Sequence, residues 1–189
     1  MKVLIINGSP KRDGNTYTAL AEVEQLLHAE GMETEWFHLG TDAVHGCIDC
    51  KHCMKAKRCI FEDDACNALI EAMVEADGVL VGSPVYYAGP NGALCALFDR
   101  VFYAAAQWHQ LFAGKPAAAL VTRYRSGGCA SIDRLNKYFS SSQMPIVSTI
   151  DYQEFPEIKR KGISKVDQAA LNSLAENLIT ALNLKRADQ

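Results

Sequence analysis

No apolar run in this chain of 189 residues approaches the roughly 18–20 residues needed to span a bilayer. A membrane-spanning role is therefore not expected. Nor is one sign of charge in excess: 19 basic against 22 acidic residues leave a formal net charge of −3. That excludes the broad basic face of a sequence-independent nucleic-acid binder, although one or two local bases suffice for a small anion. No internal repeat, low-complexity tract or Pro/Ser-rich linker interrupts the chain, and a single domain over residues 1–189 is expected. A composition of 49% apolar and 22% charged residues suits one ordinary globular core. The start, Met1-Lys2-Val3-Leu4-Ile5-Ile6-Asn7-Gly8, lacks the long apolar stretch and small-residue cleavage site of a secretory signal. It reads as a buried strand. The expected compartment is the cytoplasm, where seven cysteines need an explanation other than disulfides.

What is present is alternation. Val3–Asn7 is a continuous β-branched run, as in a strand covered on both faces. Asn15–Glu30 repeats Thr16, Leu20, Val23 and Leu27 at helical spacing, with Gly31 placed to close the helix. Glu33–Leu39 reads as an edge strand, Ala65–Ala76 as a helix capped by Asp63 or Asp64, and Gly78–Gly82 as a buried strand. Asn91–Ala106 is helical, Pro116–Thr122 strand, Cys129–Ser141 helical and Pro145–Ile150 a fifth strand. Lys165–Leu182 closes the chain, with Leu171, Leu174, Leu178 and Leu182 on one stripe. This order implies right-handed crossovers and an α/β fold with a parallel, doubly wound sheet. Ligands of such sheets sit beyond the carboxyl ends of the strands.

The loop after the first strand runs Asn7-Gly8-Ser9-Pro10-Lys11-Arg12-Asp13-Gly14-Asn15-Thr16. It has no Gly-Lys-Ser/Thr ending and no G-x-G-x-x-G, which excludes the two commonest nucleotide loops. Backbone N–H groups at a helix start, joined by Ser9, Asn15 and Thr16, suit a phosphate. Capping alone would use Asn15 or Thr16 and would not require so long a loop. After the third strand come Gly82-Ser83-Pro84-Val85-Tyr86-Tyr87-Ala88-Gly89-Pro90-Asn91-Gly92. Two adjacent tyrosines among glycines and prolines can line a flat conjugated ring, or pack against helices or a second subunit.

These pieces, with Leu97-Phe98-Asp99-Arg100 and Gly114-Lys115-Pro116, resemble the NADPH-dependent FMN reductase branch of the flavodoxin-like superfamily over roughly two-thirds of the chain. The resemblance implies a flavodoxin-like, three-layer fold with five parallel strands in the order 2-1-3-4-5. It implies FMN held non-covalently, its phosphate at Ser9, Lys11, Arg12, Asn15 and Thr16 and its ring flanked by Pro84, Val85, Tyr86 and Tyr87. Thr122, Gly127 and Gly128, in the loop Thr122–Cys129, fit close approach of backbone to the ring's pyrimidine edge. Arg123 and Arg125 of that loop either meet a nicotinamide cofactor's phosphates or are solvated surface. Hydride would pass from NADH or NADPH to FMN, which would reduce a small-molecule acceptor such as a flavin or quinone. No protein nucleophile, catalytic acid–base pair or dedicated histidine is needed, and none is assigned to His45, His52 or His109. The family likeness also places the flavin near a subunit boundary, so a homodimer is expected.

One segment, at about 41–62, falls outside this scheme. Cys47, Cys50, Cys53 and Cys59 recur at spacings of three, three and six. Four thiolates suit a [4Fe–4S] cluster or tetrahedral zinc, and Lys51, Lys55, Lys57 and Arg58 would favour thiolates. Reduced thiols in a packed loop and a reversible disulfide stay open beside these. The segment resembles the iron–sulfur flavoproteins, a likeness that would make the four cysteines cluster ligands in an electron-transfer protein. Cys66 and Cys95, within helical stretches, read as small core residues.

Overall fold

The computed structural model describes residues 1–108, 110–150, 153–156, 158 and 162–187; His109 lies outside the described residues. The β-branched run becomes β1 (Lys2–Asn7), followed by α1 (Asn15–Ala29) and β2 (Glu33–His38). A short α2 (Cys53–Ala56) precedes α3 (Cys66–Glu75), β3 (Gly78–Tyr86), β4 (Gly89–Pro90) and α4 (Gly92–Ala106). Then come β5 (Ala117–Arg123), α5 (Gly128–Ser141), β6 (Ile146–Val147), β7 (Glu154–Pro156) and α6 (Lys165–Ala187). The parallel order is β2-β1-β3-β5-β6, which is the expected 2-1-3-4-5 once β4 is set aside as a hairpin partner of β3.

The layering follows from the two-residue period of a strand. In β1, Leu4 and Ile6 point into a core built with α3, α4 and α5. Val3 and Ile5 point into a second core with α1 and α6. Thr16, Leu20, Val23 and Leu27 are all buried, and Leu171, Leu174, Leu178 and Leu182 are each 0% exposed. Both helical stripes thus sit where their spacing put them. Gly31 stands just past α1 at φ 72, a left-handed C-terminal stop that glycine adopts without strain.

Three expectations need correction. The fifth strand does not run from Pro145 to Ile150. Only Ile146–Val147 pairs, with Ala117 and Ala118, and Glu154–Pro156 resumes pairing beside Val121–Arg123. After Val147 the chain bonds elsewhere: Ser148 C=O accepts from Asn177 Nδ2, the Thr149 hydroxyl accepts from Gln153 Nε2, and Ile150 is exposed. The third strand does not stop at Gly82 but continues to Tyr86, where it turns back through β4. Finally, neither Asp63 nor Asp64 is the cap of α3, which is Ala65 without a side-chain cap. Asp64 does accept from Cys66 N–H at 3.1 Å, but its carboxylate is chiefly engaged by Arg100. No helix among the described residues is long and apolar enough to cross a membrane.

Candidate flavin corner and cysteine cleft

The carboxyl ends of β1, β3 and β5 bring three loops to one corner. Gly8 N–H donates to Gly82 C=O at 2.8 Å, and Asn91 Nδ2 donates to Gly8 C=O at 2.7 Å. A Cβ on Gly8 would lie 2.5 Å from Leu94 Cδ2 and 2.9 Å from Gly82 O, so only glycine fits that junction. Asn91 also caps α4, accepting from Ala93 N–H. Within the first loop, Ser9 N–H donates to Asn7 Oδ1 (3.1 Å) and Lys11 N–H to Ser9 Oγ (3.1 Å). Asn7 Nδ2 donates to Lys11 C=O (3.2 Å). The loop is therefore a closed, hydrogen-bonded turn leading to α1. That helix opens on Gly14, with no side-chain cap and no acidic residue in its first turn, and the positive end of its dipole favours an anion there.

The expected phosphate residues divide. Lys11 and Arg12 are exposed and Asn15 half-buried at the helix mouth, whereas Ser9 and Thr16 are buried. The Thr16 hydroxyl lies 2.8 Å from that of Thr122, so these two expected ligands tie α1 to β5 by bonding each other, and whichever accepts keeps its own O–H. On the hairpin, Pro84 and Val85 are half-buried and Tyr86 and Tyr87 are 49% and 102% exposed. Neither tyrosine packs into a helix. Tyr87 sits at φ 59, an uncommon conformation for a bulky residue.

The third loop meets the second. Gly127, at φ 98, could carry a Cβ only 2.8 Å from Ala88 Cα, and one on Gly128 would strike the Glu154 carboxylate at 2.1 Å. The Ala88 backbone and the positive φ account for Gly127, whereas at Gly128 the neighbour is the movable end of the Glu154 side chain. Arg123 is half-buried and paired within the protein. Its Nε donates to Glu154 Oε2 at 2.7 Å and its Nη1 to Arg125 C=O at 2.9 Å. Arg125 is exposed, its guanidinium 5.7 Å from the Tyr124 ring.

The cysteine segment is built differently. Cys47, Cys50, Cys53 and Cys59 line one cleft with Ile48, Phe61, Arg100 and Tyr103. Among the described residues no three or more His, Cys, Asp or Glu side chains converge to hold a metal ion. Three non-glycine residues of the segment, Asp49, Lys51 and Lys57, sit in the left-handed region at φ 54, 60 and 63, a strained backbone that its surroundings must hold. One end is fixed. Asn67 brackets Cys59, its Oδ1 accepting from Cys59 N–H at 2.8 Å and its Nδ2 donating to Cys59 C=O at 3.2 Å. Arg100 Nε donates to Cys59 Sγ at 3.2 Å. The rest of that guanidinium forks onto Asp64 and His45 C=O, and both side chains of the ion pair are 1% exposed. Burial pushes the Asp64 carboxyl up, but Arg100 and the N–H groups of His45 and Cys66 outweigh it, so the group titrates below the usual range. Trp108 Nε1 steadies the middle of the segment by donating to Cys53 C=O at 2.7 Å. Burial raises the Cys53 thiol, with smaller contributions from Cys50, Cys59 and Cys47. Cys66 is core, its thiol pushed up by burial to about 12.

Of the groups missed from sequence, Asn7, His38, Asn91 and Glu154 bond to residues distant in the chain, and Asn67 bonds across six to eight residues. Only Asn91, standing just before a helix start, carried a local signal.

The five-stranded parallel order with helices on both faces defines a flavodoxin-like fold. Two solved structures are similar in this respect. A flavone reductase matches with a TM-score of 0.74 at 16% identity, over 97% of this chain and 63% of its own. A flavodoxin from the domain Archaea matches with a TM-score of 0.65 at 12% identity, over 97% and 99%. Residues 1–153 match the model of the NADPH-dependent FMN reductase family, and the chain belongs to that family. It is also similar to an iron–sulfur flavoprotein of Methanocaldococcus jannaschii, 39% identical over 100 residues, 53% of this chain and 51% of the relative. The match thus spans about half the length of that relative.

Proposed function

We propose that the protein binds FMN at the corner formed by β1, β3 and β5 and acts as an NAD(P)H-dependent oxidoreductase for a small-molecule acceptor. The observation that carries this reading is the closed first loop opening onto an uncapped helix, with Lys11 and Arg12 exposed beside it. A phosphate fits those groups by charge and by the N–H donors of a helix start. The exposed Tyr86 and Tyr87 offer aromatic faces of the kind a flat ring needs. Lys11, Arg12 and Asn15 would hold the phosphate, Ser9 would shape the loop from within, and Pro84, Val85, Tyr86 and Tyr87 would flank the ring. The Thr16–Thr122 pair would fix the floor between them. FMN, when bound, supplies the two-electron chemistry between nicotinamide and acceptor. The chain's own groups bind and orient.

Titration with FMN and with riboflavin tests the reading. FMN should bind at least about tenfold more tightly, because a charged hydrogen bond to the phosphate is worth about 1.5–3 kcal/mol. Equal affinity would remove the phosphate site. The homodimer is an expectation from family likeness, which light scattering of the purified protein checks.

A second reading keeps the same corner and adds a [4Fe–4S] cluster. It is supported by four thiols lining one cleft beside Lys51 and Arg100. Cys47, Cys50, Cys53 and Cys59 would be the ligands, after the cleft closes around them. Anaerobically prepared protein should then contain about four iron per chain, and lose it in Cys53→Ser while retaining FMN. Protein without iron would leave the thiol loop as a packed or redox-active element.

A further inference from the structure

His38 ends β2 directly beside Asn7 in the parallel register, and no chemistry proposed above uses it. Its ring is stacked on Trp36, centroids 5.1 Å apart and planes 6° from parallel, so its orientation is fixed. Its Nδ1 lies 3.3 Å from Asn7 Nδ2. Which atom donates follows from the backbone. Asn7 Oδ1 receives Ser9 N–H, which can only donate, and Asn7 Nδ2 gives to Lys11 C=O, which can only accept. The amide cannot be turned around without losing both bonds, so its NH2 faces His38, and Nδ1 must accept. That requires a neutral imidazole with its proton on Nε2.

We propose that His38 is a positioning residue of the phosphate loop: its unprotonated Nδ1 holds the Asn7 amide around which Ser9 and Lys11 turn, so the loop binds a phosphate best while the imidazole is neutral. The proposal rests on the FMN reading above. Protonation would aim an N–H at the Asn7 NH2, and Asn7 is 0% exposed, with no water to replace the lost acceptor. The charged and titratable groups around the ring are Arg12 from the loop, Tyr17 from α1 and, across the cleft it lines, Asp42, His45, Glu62, Asp63 and Asp64. Asp64 is held by Arg100 and Asp63 by His45, which reduces what they offer an imidazolium. Burial first, then Arg12, lower the proton affinity of His38 below the ordinary histidine value of 6.5. A base depressed in the folded state is neutral at pH 7, and the intact loop is lost only as pH falls below that range.

The test is FMN and riboflavin affinity from pH 8 to 5.5 in the wild type, His38→Gln and His38→Phe, with 15N NMR of the imidazole tautomer. The glutamine can supply an acceptor that does not titrate; the phenylalanine keeps the ring stack and removes it. Wild-type FMN affinity should fall towards pH 5.5 by more than that of His38→Gln. The excess should not exceed about tenfold, the limit for a group of pKa 6.5 one unit below it. His38→Phe should bind FMN weakly at every pH, His38→Gln should recover most of the affinity, and riboflavin should show no excess. NMR should find the proton on Nε2 at pH 7.5. The same acid step in the wild type and His38→Gln belongs to the phosphate's own titration and overturns the proposal, as does tighter FMN binding by the imidazolium or a proton on Nδ1. Equal binding of FMN and riboflavin instead overturns the underlying phosphate reading.

Discussion

The flavin corner and the cysteine cleft lie at the same end of the sheet region but are held in opposite ways. The corner is made of short loops whose polar groups bond among themselves: Asn7, Ser9, Lys11, Gly8 and Asn91 bond one another between the end of β1 and the start of α4. The cysteine segment bonds to itself over short spans, in the turn of α2 and in the Asp49–Lys51 and Arg58–Glu62 pairs. It is fastened at Cys59 by Arg100 and Asn67 and leaves Cys47 and Cys50 exposed. A site that must hold a charged group in one position needs the first kind of construction. A segment whose thiols have yet to meet can use the second, provided one end is anchored.

Thiol chemistry should separate the exposed end of the cysteine segment most widely from the core. Native protein treated with a thiol reagent should label at Cys47 and Cys50 first. Cys66, buried and with its thiol pushed up to about 12, should label last. Mass spectrometry at timed intervals reads the order, and early labelling of Cys66 would break the contrast between cleft and core.

Next in size is the anchor. Arg100→Leu strands the buried Asp64 carboxylate and should cost about 3–5 kcal/mol in denaturant unfolding. The pH sign follows from the depressed Asp64 group. Its stabilisation is complete above the unfolded value near 3.9 and lost as pH falls through the lower folded value. Acid unfolding of Arg100→Leu should therefore begin at higher pH than in the wild type. An unchanged acid midpoint would mean the pair contributes nothing.

The corner should respond more modestly and locally. Gly127→Ala must hold a Cβ at φ 98 against the Ala88 backbone, a strain of about 1–3 kcal/mol, measurable by thermal melting together with weaker FMN binding. Thr16→Val keeps the shape but removes the hydroxyl pair with Thr122. It should lose about 0.5–1.5 kcal/mol, with FMN affinity changing less than in Asn15→Ala. The smallest effect belongs to Arg58→Ala. Its exposed pair with Glu62 should contribute less than about 1 kcal/mol and fade in salt, whereas the Arg100 pair should not.

Much of this was legible beforehand because it is local. The alternation of apolar runs announced the layers, Gly31 closed α1, and the stripe from Leu171 to Leu182 buried itself as its spacing required. The three loops at the strand ends followed from topology alone. Misreadings came where distant groups decided. The fifth strand broke at Ser148 because Asn177 of α6 takes its carbonyl. Asp64 did not become the cap because Arg100, 36 residues away, claims its carboxylate. The Arg123 pair with Glu154, on the far side of the interruption, had no local trace either.

The sequence by itself determined which faces are apolar, hence a parallel, doubly wound sheet and the strand ends where its loops meet; the strand order came from the family resemblance. Period-two and period-3.6 patterns leave few ways to bury them. Only the tertiary structure decided how the polar groups are partnered. A hydrogen bond such as Asn7 to His38, or Arg100 to Cys59, joins residues 31 and 41 positions apart and leaves no periodic trace in the chain. It exists because packed helices and strands bring the two groups together in a place where neither can turn to water instead.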